Sequence, residues 1–199
     1  MDLSTLAAFA LFVAIMTGTP GPGNLTFMAI GAASGYRTAF PVIVASQIGS
    51  IVLNMSVAYG LGGLMAGGGP IVTAFKALSL AYMAYLAWRI VSMSVKPKGD
   101  VTPPTFWEGL LIHPLSPKTW AMSLTAYTTF FAGNGLGLTE NALLLTSGFV
   151  FGGMISHSLW ALIGVSILGL IGDGPAMRVI TVLMAAAMLA ATLWAMVLS

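Results

Sequence analysis

A glycine- and proline-rich run at residues 17–24, with the sequence TGTPGPGN, interrupts an apolar stretch near the start of the chain. The apolar runs on either side, 3–16 and 25–33, are each shorter than the roughly 20 helical residues that cross a bilayer. Proline lacks the amide proton that a helix needs, and glycine costs backbone entropy, so a regular helix cannot continue through this run. The pattern predicts one membrane-crossing segment broken in its middle, and we call residues 17–24 the first break.

A break at this depth carries a functional implication. Non-helical backbone is tolerated inside a membrane only where protein buries it or where it lines a watery cavity. Broken helices near the midplane commonly form the substrate sites of secondary transporters. The alternative is a tight loop between a short surface helix and a second helix. If the two halves of this first segment form a hairpin that does not cross the membrane, five crossings remain and the N-terminus is intracellular.

The composition defines the class of protein. Of the 199 residues, 58% are hydrophobic and only 6% are charged, and the mean hydropathy is +0.97. A soluble domain has about 25% charged residues. We therefore predict an all-α, polytopic integral membrane protein with one transporter domain over residues 1–199. We expect the N-terminus to begin the first membrane segment rather than a signal peptide, because it has neither a basic region nor a cleavage site.

Six membrane segments are predicted, at about 3–33, 38–66, 70–93, 105–132, 141–171 and 174–198. The polar loop 94–104 separates two repeats of three segments, about 1–93 and 105–199. The fourth segment is interrupted at 113–118 (HPLSPK), in the position that corresponds to the first break, and we call residues 113–118 the second break. Because three segments per half is an odd number, the two halves have opposite orientation, which is typical of inverted-repeat transporters.

Positive charges predict the orientation in the membrane. Cytoplasmic connections carry an excess of lysine and arginine, and only Lys76 lies on the side opposite to the others. The odd-numbered connections are therefore predicted to be cytoplasmic and both termini periplasmic. The charges that support this are Arg37, Arg89, Lys96, Lys98, Lys118 and Arg178.

The first break offers groups that suit an amino acid zwitterion. Free amides at the start of the second half-helix attract a carboxylate, and free carbonyls at the end of the first attract an ammonium. Asn24 either caps the second half-helix or contacts the ligand, while Thr17 and Thr19 add hydroxyls. The candidate substrate-binding residues here are Thr19, Pro20, Gly21, Pro22, Gly23 and Asn24.

The second break adds Ser116, Pro117 and Lys118 as candidates. The Lys118 side chain either extends to the cytoplasmic interface or faces the cavity and binds the substrate carboxylate. We expect His113 to be an interfacial residue. In the second segment, Gln47 lies seven residues before Asn54, on one helical face, where both either line the cavity or contact other helices.

His157 lies about midway along the fifth segment and is the candidate for proton coupling. A buried imidazole can relay protons, although a neutral histidine bonded to a neighbouring helix is the alternative. Carboxylates occur only at segment ends and in loops, so proton coupling otherwise needs Glu108 at the mouth or no titrating side chain. Two spaced pairs of glycines, Gly31 with Gly35 and Gly148 with Gly152, indicate close helix packing and are weak indicators of dimers.

Several classes of function are disfavoured. A metal-ion carrier would want buried carboxylates or thiolates, and the chain has no cysteine. No serine–histidine–acid or paired-carboxylate constellation suggests an enzyme, and we expect neither a cofactor nor a nucleic-acid partner. The function predicted is transport of a small zwitterion. The alternatives are a carrier of another small solute and a non-transporting scaffold or assembly protein.

The chain resembles the LysE/RhtB-type amino acid exporters in three motifs. The first is TPGPGNLTF at 19–27 with GYRTAFP at 35–41, the second is FKALSLAYMAYLAW at 75–88, and the third is FWEGLLIHPLSPKTW at 106–120. They occur in the family's order and spacing, and they cover most of the chain.

This resemblance implies about six helices in two inverted halves, located in a bacterial inner membrane. It also implies export of amino acids or close derivatives at the expense of the proton gradient, and a second copy of the chain as partner. Two positions depart from the family pattern. Gly23 intervenes before Asn24, where the family has asparagine directly after Pro-Gly-Pro, and Ser116 replaces the asparagine of the Asn-Pro-Lys motif. Both changes fall where the ligand would bind, so an altered choice of substrate is expected.

Overall fold

The computed structural model describes residues 2–63, 67, 69–95, 104–172 and 174–198. These residues are almost entirely helical, as predicted. Two π-helical turns, Val57–Leu61 and Tyr127–Phe131, extend the third and sixth helices. The α-helices are α1 (Leu3–Gly18), α2 (Pro22–Ser34), α3 (Tyr36–Ser56), α4 (Pro70–Val95), α5 (Phe106–Leu111), α6 (Pro117–Ala126), α7 (Leu138–Ile171) and α8 (Pro175–Leu198).

Four described helices are long and apolar enough to cross a membrane. They are α3 with its π-helical turn, α4, α7 and α8. Helices α1 and α2 meet the same criterion as a pair that is bent by 55°. The predicted segment 105–132 consists of two short helices, α5 and α6 with its π-helical turn. The chain is a multi-pass membrane protein, while six crossings in two inverted repeats stay a prediction. Most of the predicted loop 94–104 lies outside the described residues.

Both predicted interruptions are confirmed as local structure. Helix α1 ends at Gly18 and α2 begins at Pro22, and proline suits this first helical position because its missing amide proton is not needed there. At the second break α5 ends at Leu111 and α6 begins with Pro117. Each break is thus followed by a helix that starts with proline.

Helix α2 lies at the centre of the protein. It packs against α3, α4, α7 and α8, and most of its residues are buried. The approach to α7 is backbone to backbone: a Cβ atom at Gly164 would overlap the carbonyl oxygen of Met28, and one at Gly31 would overlap that of Ala161. The start of α2, which belongs to the first break, is therefore fixed inside the helix assembly.

Helix α1 packs along the first half of α7. Phe9 and Val13, one helical turn apart, contact the positions of Gly148 and Gly152, where a Cβ atom would collide with their side chains. These two glycines were predicted to be packing positions, and they serve packing within the chain. The contact holds the end of α1 against α7 and thus close to the start of α2.

Candidate functional site

A cavity of about 40 Å³ lies between the two breaks. This volume is a few times the space of about 10–15 Å³ that one water needs. Thr19 and Pro20 lie beside it, in contact with Lys118, whereas Pro117 is buried at the start of α6 and is not among the lining residues. The predicted site residues that line the cavity are Gly21, Pro22, Gly23, Asn24, Gln47, Ser116, Lys118 and His157.

Asn24 ties the end of α1 to the start of α2. Its Nδ2 donates to the carbonyl oxygen of Thr17 at 2.7 Å and to that of Thr19 at 2.8 Å. The N-cap of α2 is Gly21, so the alternative in which Asn24 caps this helix is wrong. The amide instead satisfies two carbonyl groups that the end of α1 leaves without helical partners.

Helix α7 satisfies further carbonyl groups of the first break. The Ser156 hydroxyl donates to the Thr17 oxygen at 2.6 Å, and the Trp160 indole donates to the Gly18 oxygen at 3.1 Å. These bonds fix the bend between α1 and α2.

Three buried polar atoms at the cavity have no hydrogen-bond partner in the part of the chain that the structure describes: Asn24 Oδ1, Gln47 Oε1 and His113 Nε2. The orientation of the Asn24 amide follows from its bonds, because carbonyl groups only accept and Nδ2 must face them. A buried polar atom without a partner costs about 1–3 kcal/mol, which is typical of a site that a ligand completes. Two of the three atoms are amide oxygens, which accept hydrogen bonds from an ammonium.

Two histidines stack beside this cavity. The rings of His113 and His157 lie 5.0 Å apart at 24°, and Phe27 lies 4.6 Å from His157. Nδ1 of His157 is 2.9 Å from the amide nitrogen of Gln47 on α3. His113 is 8% exposed, so the prediction that it is interfacial is wrong: the second break carries this side chain inward.

The two polar residues of α3 divide between the predicted roles. Gln47 lines the cavity. Asn54 accepts a hydrogen bond of 2.7 Å from the Ser123 hydroxyl of α6, so it serves as a contact between helices. Seven residues of helix separate them, and that distance is enough to take Asn54 beyond the cavity.

Lys118 connects the second break to the first. Its Nζ donates to the Thr19 hydroxyl at 2.9 Å, to the Thr19 carbonyl at 3.1 Å and to the Pro20 carbonyl at 3.4 Å. The side chain was predicted either to extend to the cytoplasmic interface or to face the cavity, and it faces the cavity. Binding of a carboxylate by Lys118 stays a prediction.

Other lining residues were not predicted from the sequence. His113 belongs to the second break and Thr119 follows it directly, so their position in the sequence could have indicated that they line the cavity. Gly153 and Phe149 on α7 also line the cavity. A Cβ atom at Gly153 would lie 2.7 Å from Gln47 Oε1, so this glycine gives the glutamine side chain its space; only the packing of α3 on α7 reveals this.

A polar cavity at two helix breaks, within an assembly of membrane-spanning helices, defines a membrane transporter as the class of protein. The sequence model of the LysE type translocator family matches residues 14–197 of the chain. The chain belongs to this family of translocators, and it is a transporter and not an enzyme.

Curated relatives support the same assignment. The cysteine/O-acetylserine efflux protein of Escherichia coli O1:K1 is 27% identical over 132 residues, which cover 65% of this chain and 67% of the relative. The proteins of the same name from Escherichia coli strain K12 and Shigella sonnei are each 26% identical over the same lengths. No solved structure gives a significant match to the chain.

Proposed function

We propose that the protein exports a small amino acid or a close derivative across the bacterial inner membrane. The observation that carries this proposal is the set of unpaired buried atoms, Asn24 Oδ1, Gln47 Oε1 and His113 Nε2, around one cavity between the two breaks. Membership of the translocator family and the relatives named for cysteine and O-acetylserine efflux support it.

In this proposal the substrate ammonium is bound at the oxygens of the first break, and the amide oxygens of Asn24 and Gln47 are further hydrogen-bond acceptors for the substrate. The carboxylate is bound by Lys118 and by the free first-turn amides of α2, at Gly23 and Asn24. Gly21, Pro22, Ser116 and Pro117 shape the two breaks. A cavity of about 40 Å³ is narrow for an amino acid, so transport requires a conformation in which the two halves move apart.

We propose further that export is coupled to the proton gradient as secondary active transport, with His157 as the residue that exchanges the proton. The charge distribution supports periplasmic termini, and the partner proposed is a second copy of the chain.

His157→Gln tests the coupling. Glutamine retains an amide that can bond to Gln47 but it does not titrate, so we expect export that no longer responds to a pH gradient. The measurement is amino acid movement in proteoliposomes with and without an imposed gradient. An unchanged response to the gradient would remove His157 from this role.

Export from living cells tests the function. Cells that express the protein are fed a mixture of dipeptides, and free amino acids in the medium are followed against cells without the protein and cells with the Lys118→Met variant, which is expected to be inactive. Selective appearance of one or a few amino acids is the expected result. No change, with the protein present in the membrane, would favour a carrier of another solute, and Gly23 and Ser116 would then be the first positions to revert to asparagine.

A further inference from the structure

The Lys118 side chain occupies a position that suits a substrate ammonium. Its Nζ lies within hydrogen-bond distance of three oxygens of the first break, the Thr19 hydroxyl and the carbonyls of Thr19 and Pro20. An ammonium has three N–H donors, so this contact can use all of them. The carbonyl end of a helix carries partial negative charge and favours a cation.

The surroundings indicate that the position can be reached by another cation. Thr19 and Pro20 are exposed, whereas Asn24 beside them is buried. Lys118 lines the cavity, and its end meets exposed residues. Among the described residues the ion pair found joins Arg89 to Glu108, and the partners given there for Nζ of Lys118 are neutral oxygens.

We propose that Lys118 is an internal competitor of the substrate: its ammonium occupies the first break in the closed, empty protein and is exchanged for the substrate's ammonium. This inference rests on the proposed function. In the exchange the substrate ammonium takes the oxygens of Thr19 and Pro20, and the substrate carboxylate takes Nζ of Lys118. The bound molecule thus enters between two groups that were bonded to each other.

The exchange defines the class of substrate. The ammonium of a zwitterion replaces that of Lys118 at the first break, and its carboxylate replaces the oxygens of the first break at Lys118. Neither charge is then left without a partner. An amine without a carboxylate would release Lys118 with no partner and place a second positive charge beside it. A carboxylate without an amine would displace the Lys118 ammonium from the Thr19 hydroxyl and the Pro20 carbonyl and bring no donor to replace it. Molecules that carry both groups on one carbon atom, as α-amino acids do, are therefore selected, whatever their side chain.

Binding of three matched probes to the purified full chain tests this inference. L-cysteine has both groups, cysteamine has only the amine, and 3-mercaptopropionate has only the carboxylate. The wild type is expected to bind cysteine at least about tenfold more tightly than either single-charge probe, because each loses one charged partner. In Lys118→Met the order of cysteine and cysteamine is expected to reverse, since the oxygens of the first break still attract an ammonium whereas the carboxylate has lost its partner.

Two further variants keep the test decisive. Lys118→Gln supplies an amide that still donates to the first break, so it serves if the methionine variant does not fold, and it is expected to lose the preference for cysteine too. Lys76→Met removes a lysine that bonds to the Met196 carbonyl, away from the cavity, and is expected to bind all three probes as the wild type does.

The outcomes separate the two proposals. An unchanged ratio of cysteine to cysteamine affinity in both Lys118 variants overturns the exchange and the binding of the carboxylate by Lys118, and it leaves the proposal of amino acid export standing. If the wild type binds no amino acid of a full panel, the exporter proposal itself fails and the exchange fails with it.

Discussion

Asn24→Leu is expected to reduce export per folded molecule by on the order of a hundredfold. It removes both the Nδ2 donor and the Oδ1 acceptor of the side-chain amide. The Nδ2 bonds to the Thr17 and Thr19 carbonyls hold the end of α1, and Oδ1 is an unpaired acceptor at the cavity. Leucine has nearly the same shape but neither donor nor acceptor. Transport in proteoliposomes, normalised to folded protein, measures the effect.

Asn54→Leu is the matched control for this prediction. Asn54 is fully buried, and its amide bonds to Ser50, a cavity-lining residue one turn earlier, and to Ser123 of α6. The same substitution should lower thermal stability by a similar amount, about 1–3 kcal/mol, with a much smaller loss of transport per folded molecule. Equal losses of transport in the two variants would show that Asn24 acts only through folding.

In the Gly164→Ala variant we expect most molecules not to reach a stable fold. The added methyl would overlap the carbonyl oxygen of Met28 in α2, and a backbone atom of a buried helix cannot move aside as a side chain can. Overpacking that displaces side chains costs about 1–3 kcal/mol, so a clash with backbone at the centre should cost more. The measurement is the melting temperature and the monodisperse fraction after solubilisation.

Gly169→Ala provides the comparison on the same helix. No atom of the described residues lies within 4 Å of a Cβ atom at this position, and alanine is the better helix former by about 1 kcal/mol. We expect a melting temperature equal to or above that of the wild type. Similar melting of the Gly164 and Gly169 variants would contradict the close contact of α2 with α7.

Local interruptions were predictable from the sequence because proline acts through covalent geometry. Pro22 and Pro117 suit the first position of a helix because the missing amide proton is not needed there, and the second proline close before each of them disfavours a continuous helix. A single proline is not sufficient, since Pro41 lies inside α3. The number of crossings was less accessible, because length and hydropathy alone do not distinguish a spanning segment from two short helices. Residues 105–132 have the apolar length of a span, and they form α5 and α6 on either side of the predicted second break, so length alone does not show whether they cross.

The candidate site was predictable only in part for a related reason. Residues at the breaks, such as Asn24 and Lys118, were identified because the breaks themselves were. The direction of Lys118 and the inward position of His113 depend on how the two breaks meet, which is a property of the packing of α2, α3 and α7. Gly153 has no sequence signal of its own, since its role is to leave space for Gln47.

Counterflow in proteoliposomes tests the central claim most directly. Purified protein is reconstituted with an unlabelled amino acid inside, and uptake of the labelled amino acid is followed against Asn24→Leu and empty liposomes. The account predicts transient accumulation of one or a few small amino acids by the wild type and almost none by the variant. Uptake by the wild type no faster than by empty liposomes, for every amino acid in the panel, would contradict it.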